Sequence, residues 1–198
     1  MIPVAKQPAP EDFHSKAGQK GARVLAQHKP APPVKAGFWE GKEYWRSALD
    51  DLCESYGRVC AFAAMRIELV TGSRSVEHFK PKRLYPHLAY EWSNFRLVCG
   101  MMNGRKGDYE DVLDPFEIPN HTFDMNPLSG EVLIHRHCPA RLRQKAETTR
   151  IRLKLNEGEC LRARQEHLKK LFDGDWSLAE ARRQSPFVVG CLERQGLI

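Results

Sequence analysis

Three consecutive segments between Ser75 and Asp108 decide how this chain is read. They are Ser75-Val-Glu77-His78-Phe-Lys80-Pro81-Lys82, Tyr90-Glu91-Trp92-Ser93-Asn94-Phe-Arg96-Leu97 and Cys99-Gly-Met-Met-Asn103-Gly104-Arg105-Lys106-Gly107-Asp108. They belong to a stretch, residues 58–112, that mixes short β-like pieces with turn signals. Upstream, Trp45, Ala48, Leu49, Leu52 and Tyr56 recur at helical spacing from Trp39 to Tyr56, and Gly57 stands where a left-handed cap belongs. This predicts a helix over 38–57. Downstream, Phe123 and Met125, a Pro-Leu-Ser-Gly turn, then Val132 and Ile134 predict a hairpin from Thr122 to His135.

The ends of the chain read differently from each other. Residues 1–37 carry Pro3, Pro8, Pro10, Pro30, Pro32 and Pro33 with little apolar periodicity, which predicts an extended or partly disordered arm. The hairpin opens a segment, 113–198, that is otherwise helical. Leu142, Ala146, Thr149 and Leu153 mark one helix, Asn156 is placed to cap a second through Leu161, Leu168 and Phe172, and Gly174 stops it. Ser177 with Glu180 fits a capping box, and Ser185-Pro186 opens the last helix before Gly196. Arg141, Arg143, Lys145, Arg150, Arg152 and Lys154 surround the apolar stripe of the first of these helices and read as a solvated face.

Composition bounds the function. In 198 residues, 41% are hydrophobic and 28% charged, enough for a core and far from a membrane span, since the longest apolar run is Val59 to Met65. Prolines in Met1-Ile-Pro-Val-Ala-Lys-Gln-Pro interrupt any secretory run, so a cytoplasmic location is expected, with no membrane partner. Six cysteines spread over this length read as free thiols. The net charge of +6 is a moderate bias towards polyanions such as nucleic acid.

The three segments resemble the HNH endonucleases of the ββα-metal class. In that signature an acidic residue and a histidine end one strand, an asparagine opens the next, and an Asn or His with Lys-Gly follows on a helix. Val-Glu-His-Phe-Lys-Pro-Lys with Ala-Tyr-Glu-Trp-Ser-Asn is similar to the branch that includes the nuclease subunits of Septu-type anti-phage systems and retron-associated nucleases. The resemblance implies an α+β fold: a ββα-metal (HNH) core over 58–112, extended by the N-terminal arm and helix and by C-terminal helices. It also implies a DNA endonuclease in anti-phage defence, with RNA as the open alternative substrate and an ATPase or other defence subunit as partner. The competing reading is a catalytically silent module that binds nucleic acid or docks a partner.

The chemistry supplies a separate reason for these residue types. Phosphodiester hydrolysis needs a deprotonated water, a neutralised phosphate and a stabilised leaving alkoxide, which a neutral imidazole and one hard cation can provide. His78 suits the general base. A bend at the strand end would aim the Glu77 carboxylate at the metal and His78 at the water; Glu77 and Asn103 then offer oxygen ligands to Mg²⁺ or Mn²⁺. Asn94, by resemblance, braces the loop that bears the base. Arg105, Lys106, Lys80 and Lys82 are placed to contact phosphates. Many relatives also hold a structural zinc in two Cys-x-x-Cys knuckles, but Ala63 follows Cys60 and Met102 follows Cys99, so a structural zinc is not expected. Trp39, Trp45 and Trp92 read as core, and His135 with His137 as surface.

Overall fold

A computed structural model describes all 198 residues as a mixed α+β protein with seven α-helices and two small antiparallel sheets. The chain divides into two compact units. One comprises Lys6–Arg58 and Glu68–Glu110; the other comprises Met1–Ala5, Val59–Ile67 and Asp111–Ile198. Thus Val59–Ile67, grouped by sequence with the stretch that follows it, clusters with the C-terminal residues. No helix is long and apolar enough to cross a membrane.

In the first unit, β1 (Arg74–His78) pairs antiparallel with β2 (Phe95–Cys99), in a register that sets Glu77 opposite Arg96 and His78 opposite Phe95. Helix α3 (Gly100–Lys106) follows β2 at once and packs on both strands. Alternation along a strand sends neighbouring side chains to opposite faces. Ser75 and Glu77 therefore share the face towards α3, and His78 takes the other.

Two expectations upstream are corrected. The arm is not extended throughout: a π-helical turn at His14–Gly18 runs into α1 (Gln19–His28), ended by Lys29 with φ of 42°. Phe13, Ala17, Gly21 and Val24 are buried along it, and Phe13 meets Trp92 and Phe95 edge-on at 5.4 and 5.9 Å. Flanking prolines and two glycines hid that periodicity. The helix over 38–57 is also fragmented, into 3₁₀ turns at Ala36–Trp39 and Tyr44–Ala48 and a short α2 (Leu49–Ser55). Gly41, at φ of 71°, breaks the path, and Trp39 and Trp45 stack edgewise with each other (5.6 Å) while both reach Tyr90.

The second unit holds the predicted hairpin, β3 (Phe123–Met125) with β4 (Val132–Ile134), Phe123 facing Ile134. Four helices follow: α4 (Ala140–Arg152), α5 (Gly158–Phe172), α6 (Leu178–Gln184) and α7 (Pro186–Arg194). Ser177 caps α6 by accepting from Glu180 N at 3.1 Å, and Pro186 opens α7. Asn156 does not cap α5. Its side chain instead clasps the backbone of Val132 in both directions, at 2.7 and 2.9 Å.

Gly21 shows how closely the first unit is packed, because a Cβ there would lie 2.0 Å from the Tyr90 ring. Gly21→Ala should destabilise the protein by about 1 to 3 kcal/mol, the usual cost of overpacking, read as a lowered urea midpoint with unchanged slope.

Candidate catalytic and metal site

The hairpin and α3 meet through two polar rungs. Asn103, on α3, donates from Nδ2 to the Ser75 hydroxyl on β1. One helical turn on, the Lys106 ammonium lies 3.0 Å from Glu77 Oε1, with both side chains enclosed. Lys106 also donates to the carbonyls of Phe79 (2.7 Å), His78 (3.3 Å) and Gly107 (3.3 Å). A lysine is almost never this buried unless its charge is matched. Here one carboxylate and three carbonyls match it, which differs from the expected phosphate contact. Lys106 reaches a phosphate only by leaving this nest.

Burial governs the acidity of both central residues. It pushes the Glu77 carboxyl up to about 7 against the opposing pull of Lys106, Lys82 and Arg96. For His78, burial first and then the positive charge of Lys82 lower the imidazole to about 3, against the opposing hydrogen bond to the Ala89 carbonyl and with a lesser push from Lys106. That carbonyl sits 2.9 Å from Nε2. A carbonyl only accepts, so Nε2 carries the proton and Nδ1 is the basic nitrogen. The ring lies against Trp45 at 4.9 Å and Phe95 at 5.3 Å, both edge-on.

No bend puts Glu77 and His78 on one face, because the pairing with β2 runs through His78 itself. Glu77 joins Ser75, Asn103 and Lys106, whereas His78 joins Trp45 and Phe95. Asn94 bonds across the loop that leaves His78: Oδ1 accepts from Lys80 N at 2.8 Å, and Nδ2 donates to Lys80 O at 3.0 Å and Leu88 O at 3.2 Å. These bonds fasten the loop that leaves His78.

The remaining basic residues are spread over the same unit. Lys80 pairs with Glu110 at 3.1 Å and lies over Tyr85. Lys82 is half-buried over the Trp45 ring at 5.3 Å, and burial lowers its ammonium. Arg105 is half-buried on α3. Ser75, the Ala89 carbonyl and the contact between Trp45 and His78 were not read from sequence. Serine carries no distinctive spacing, a carbonyl has no side-chain signature, and Trp45 reads as core, which it also is.

Of the residues expected to hold a divalent cation, Glu77 is paired with Lys106 and Asn103 donates to Ser75. No three His, Cys, Asp or Glu side chains converge on a metal position. Glu77 and Asn103 stand on facing elements, and Glu77 already holds a positive charge in the form of the Lys106 ammonium. Mg²⁺ commonly takes one or two protein carboxylates and completes its shell with water and phosphate. The thiols behave otherwise: Cys60 accepts from Ala63 N at 3.5 Å within the second unit, whereas Met102 is fully buried in the first.

Fold and site together define a mixed α+β protein whose buried carboxylate, histidine and bracing asparagine are held by one hairpin and the helix after it. The chain is similar to the Septu protein PtuB of Bacillus thuringiensis, at 32% identity over 117 residues, 59% of this chain. It spans 43% of that protein's length. No family model matches the chain.

Two outcomes follow from the buried charges. Lys106→Met should cost about 3 to 5 kcal/mol by stranding Glu77, and the double variant with Glu77→Met should recover most of it, measured by urea unfolding. His78 is held neutral far below its ordinary 6.5, so the unfolded chain binds the proton first as pH falls. This destabilises the fold from about pH 6.5 downwards, by about 2 kcal/mol at pH 5. His78→Phe should reduce the stability difference between pH 7.5 and pH 5 by that amount. Glu77, raised from 4.5, acts with the opposite sign, weakening the fold as pH rises towards 7, and is common to both proteins.

Proposed function

We propose that this protein is a metal-dependent nuclease of anti-phage defence, hydrolysing DNA phosphodiester bonds with His78 as general base and Glu77 and Asn103 as metal ligands. The observation that carries the reading is the Asn94 clasp. A buried amide fixes the loop immediately after a neutral buried histidine, on a hairpin whose next helix faces Glu77. The HNH-like order of residues and the similarity to Septu protein PtuB support it.

Each residue has a chemical task. Nδ1 of His78 is unprotonated over the physiological range and takes a proton from water. A divalent cation at Glu77 and Asn103 supplies neutralisation of the phosphate and of the departing alkoxide. Lys106 must release the Glu77 carboxylate before it can serve as a ligand. Lys80, Lys82 and Arg105 hold phosphates of the strand, without reading bases. A defence-system protein, such as an ATPase, is the proposed partner.

A second reading rests on the burial of His78 and the closure of Glu77 by Lys106, which favour a catalytically silent module that binds nucleic acid or docks a partner. Plasmid and RNA incubated with Mg²⁺, Mn²⁺ or EDTA, with and without co-expressed neighbouring gene products, separate the two. The nuclease reading expects metal-dependent nicking that His78→Ala lowers by about 10² to 10⁴-fold with little change in DNA affinity. Glu77→Ala and Asn103→Ala should be partly rescued by more metal. If the parent protein cleaves nothing under any of these conditions, the silent module stands.

A further inference from the structure

The start of α4 and the residues just before it carry a charge pattern unlike the rest of the second unit. Residues 136–145 hold four cations, Arg136, Arg141, Arg143 and Lys145, and no carboxylate. Elsewhere the helices of this unit pair their charges at one-turn spacing: Arg150 with Glu147, Lys154 with Glu157, Arg162 with Glu159, Lys169 with Asp173 and Lys170 with Glu166. The acids beside the segment are taken as well, Asp111 by Arg152 and Asp124 by Arg194. None of the four cations therefore has an ion-pair partner. A solvated helix face is laced with both signs, and this one is not.

These charges do not serve the helix either. Arg141 and Arg143 fall in the first turn of α4, which holds no acidic residue, and cations there oppose the helix dipole. The fold instead presents them from a fixed ledge. Arg143 donates from Nη2 to the carbonyls of His135 and Arg136, and Arg136 donates from Nε to His137 Nε2 at 3.1 Å. His137 ends a column of rings with His135 and His121, at centre distances of 5.4 and 4.8 Å. Arg136, Arg141 and Lys145 are exposed, and no large apolar side chain is exposed between Leu133 and Ile151. All these residues belong to one compact unit.

We propose that Arg136, Arg141, Arg143 and Lys145 form a surface that binds the sugar-phosphate backbone of nucleic acid, distinct from the phosphate contacts of Lys80, Lys82 and Arg105 in the other unit. An acidic protein partner would call for an apolar centre to the interface, and this surface has none. Three of the four cations are arginines, whose planar forks match phosphate oxygens two at a time. Arg141 and Lys145 stand one turn apart, about 6 Å of helix rise, close to the rise of two nucleotides along a strand. Contacts of this kind position a strand without reading its bases. The surface rests on the nucleic-acid reading, yet it uses neither the metal nor any residue of the hairpin-helix unit and is tested without them.

The test is binding of the full chain, in EDTA and over a series of salt concentrations, to a labelled oligonucleotide offered as DNA duplex, DNA single strand and RNA. Arg141→Gln with Lys145→Gln should weaken binding about tenfold and lower the salt slope by roughly two phosphate contacts. Arg162→Gln with Lys169→Gln removes the same charge from α5 and should change affinity less than about twofold. Arg141→Glu separates binding from support of the fold: the dipole favours an acid at that position, so the thermal midpoint should hold or rise while affinity falls at least about tenfold. Polyglutamate should displace the strand far less effectively than unlabelled DNA of equal charge. Absence of binding, equal losses in the two double variants, an unchanged salt slope, or equal displacement by polyglutamate would overturn the proposal. So would an Arg141→Glu protein that keeps its affinity, or loses it only together with its thermal midpoint. If Lys80→Gln with Lys82→Gln abolishes binding while the α4 variants do not, the surface falls and the nucleic-acid reading stands. Binding that depends on α4 in a protein that cleaves nothing upholds the surface and removes the nuclease reading.

Discussion

An ammonium group shut away from water is the constraint on which the hairpin-helix unit depends. Lys106 has no exposed surface, and removing such a charge from solvent costs several kcal/mol unless every donor is answered. Its partners come from the strand, from the loop after it and from the helix's own end. The nest therefore fixes β1, α3 and residues 78–79 against one another with little tolerance. Asn94 does the same for the other side of that loop. His78 is consequently held by its neighbours more than by its own hydrogen bond, and its low proton affinity follows from that enclosure.

The same packing explains how far the sequence could be read. Glu77, His78, Asn94 and Asn103 stand out because their order is unusual for residues chosen only to fill a core. The β3–β4 hairpin was legible from the alternation of Phe123 with Met125 and Val132 with Ile134, and α6 from its capping serine. What escaped depends on contacts between distant residues. Gly21 looks like a helix breaker until the Tyr90 ring is seen against it. Trp39 and Trp45 keep helical spacing while the backbone beneath them turns through 3₁₀ geometry, because ring packing and Gly41 outweigh local propensity. Asn156 has the chemistry of a cap, yet the Val132 peptide offers both a donor and an acceptor to one amide. Lys106, by type, belongs on a surface, and only three carbonyls and a carboxylate make its burial tolerable.

Function was legible to a different depth. The residue types are those the proposed phosphodiester chemistry needs, whereas the disposition of Glu77 and His78 on opposite strand faces is a property of regular pairing that extends through the last residue of β1. An enzyme built on this hairpin has to free Glu77 from Lys106 and also bring Glu77 and His78 to bear on one phosphate, a change of the strand end as well as of one side chain. The aromatic segment ahead of the hairpin adds a wall that the resemblance to HNH enzymes does not account for.

The way the two units share the chain bears on how the protein is made. Residues 6–58 and 68–110 contain every part of the first unit, so it has all its partners soon after residue 110 leaves the ribosome. Val59–Ile67 is synthesised in the middle of that unit but packs with residues 111–198, its Arg66 amide bonding to Gln184 O at 2.9 Å. Until residues from 111 onwards are made, the apolar loop around Cys60, Phe62 and Ile67 lacks most of its final neighbours. Nascent chains of this protein thus carry a sticky, waiting segment, a natural place for chaperone engagement and for aggregation when translation stalls.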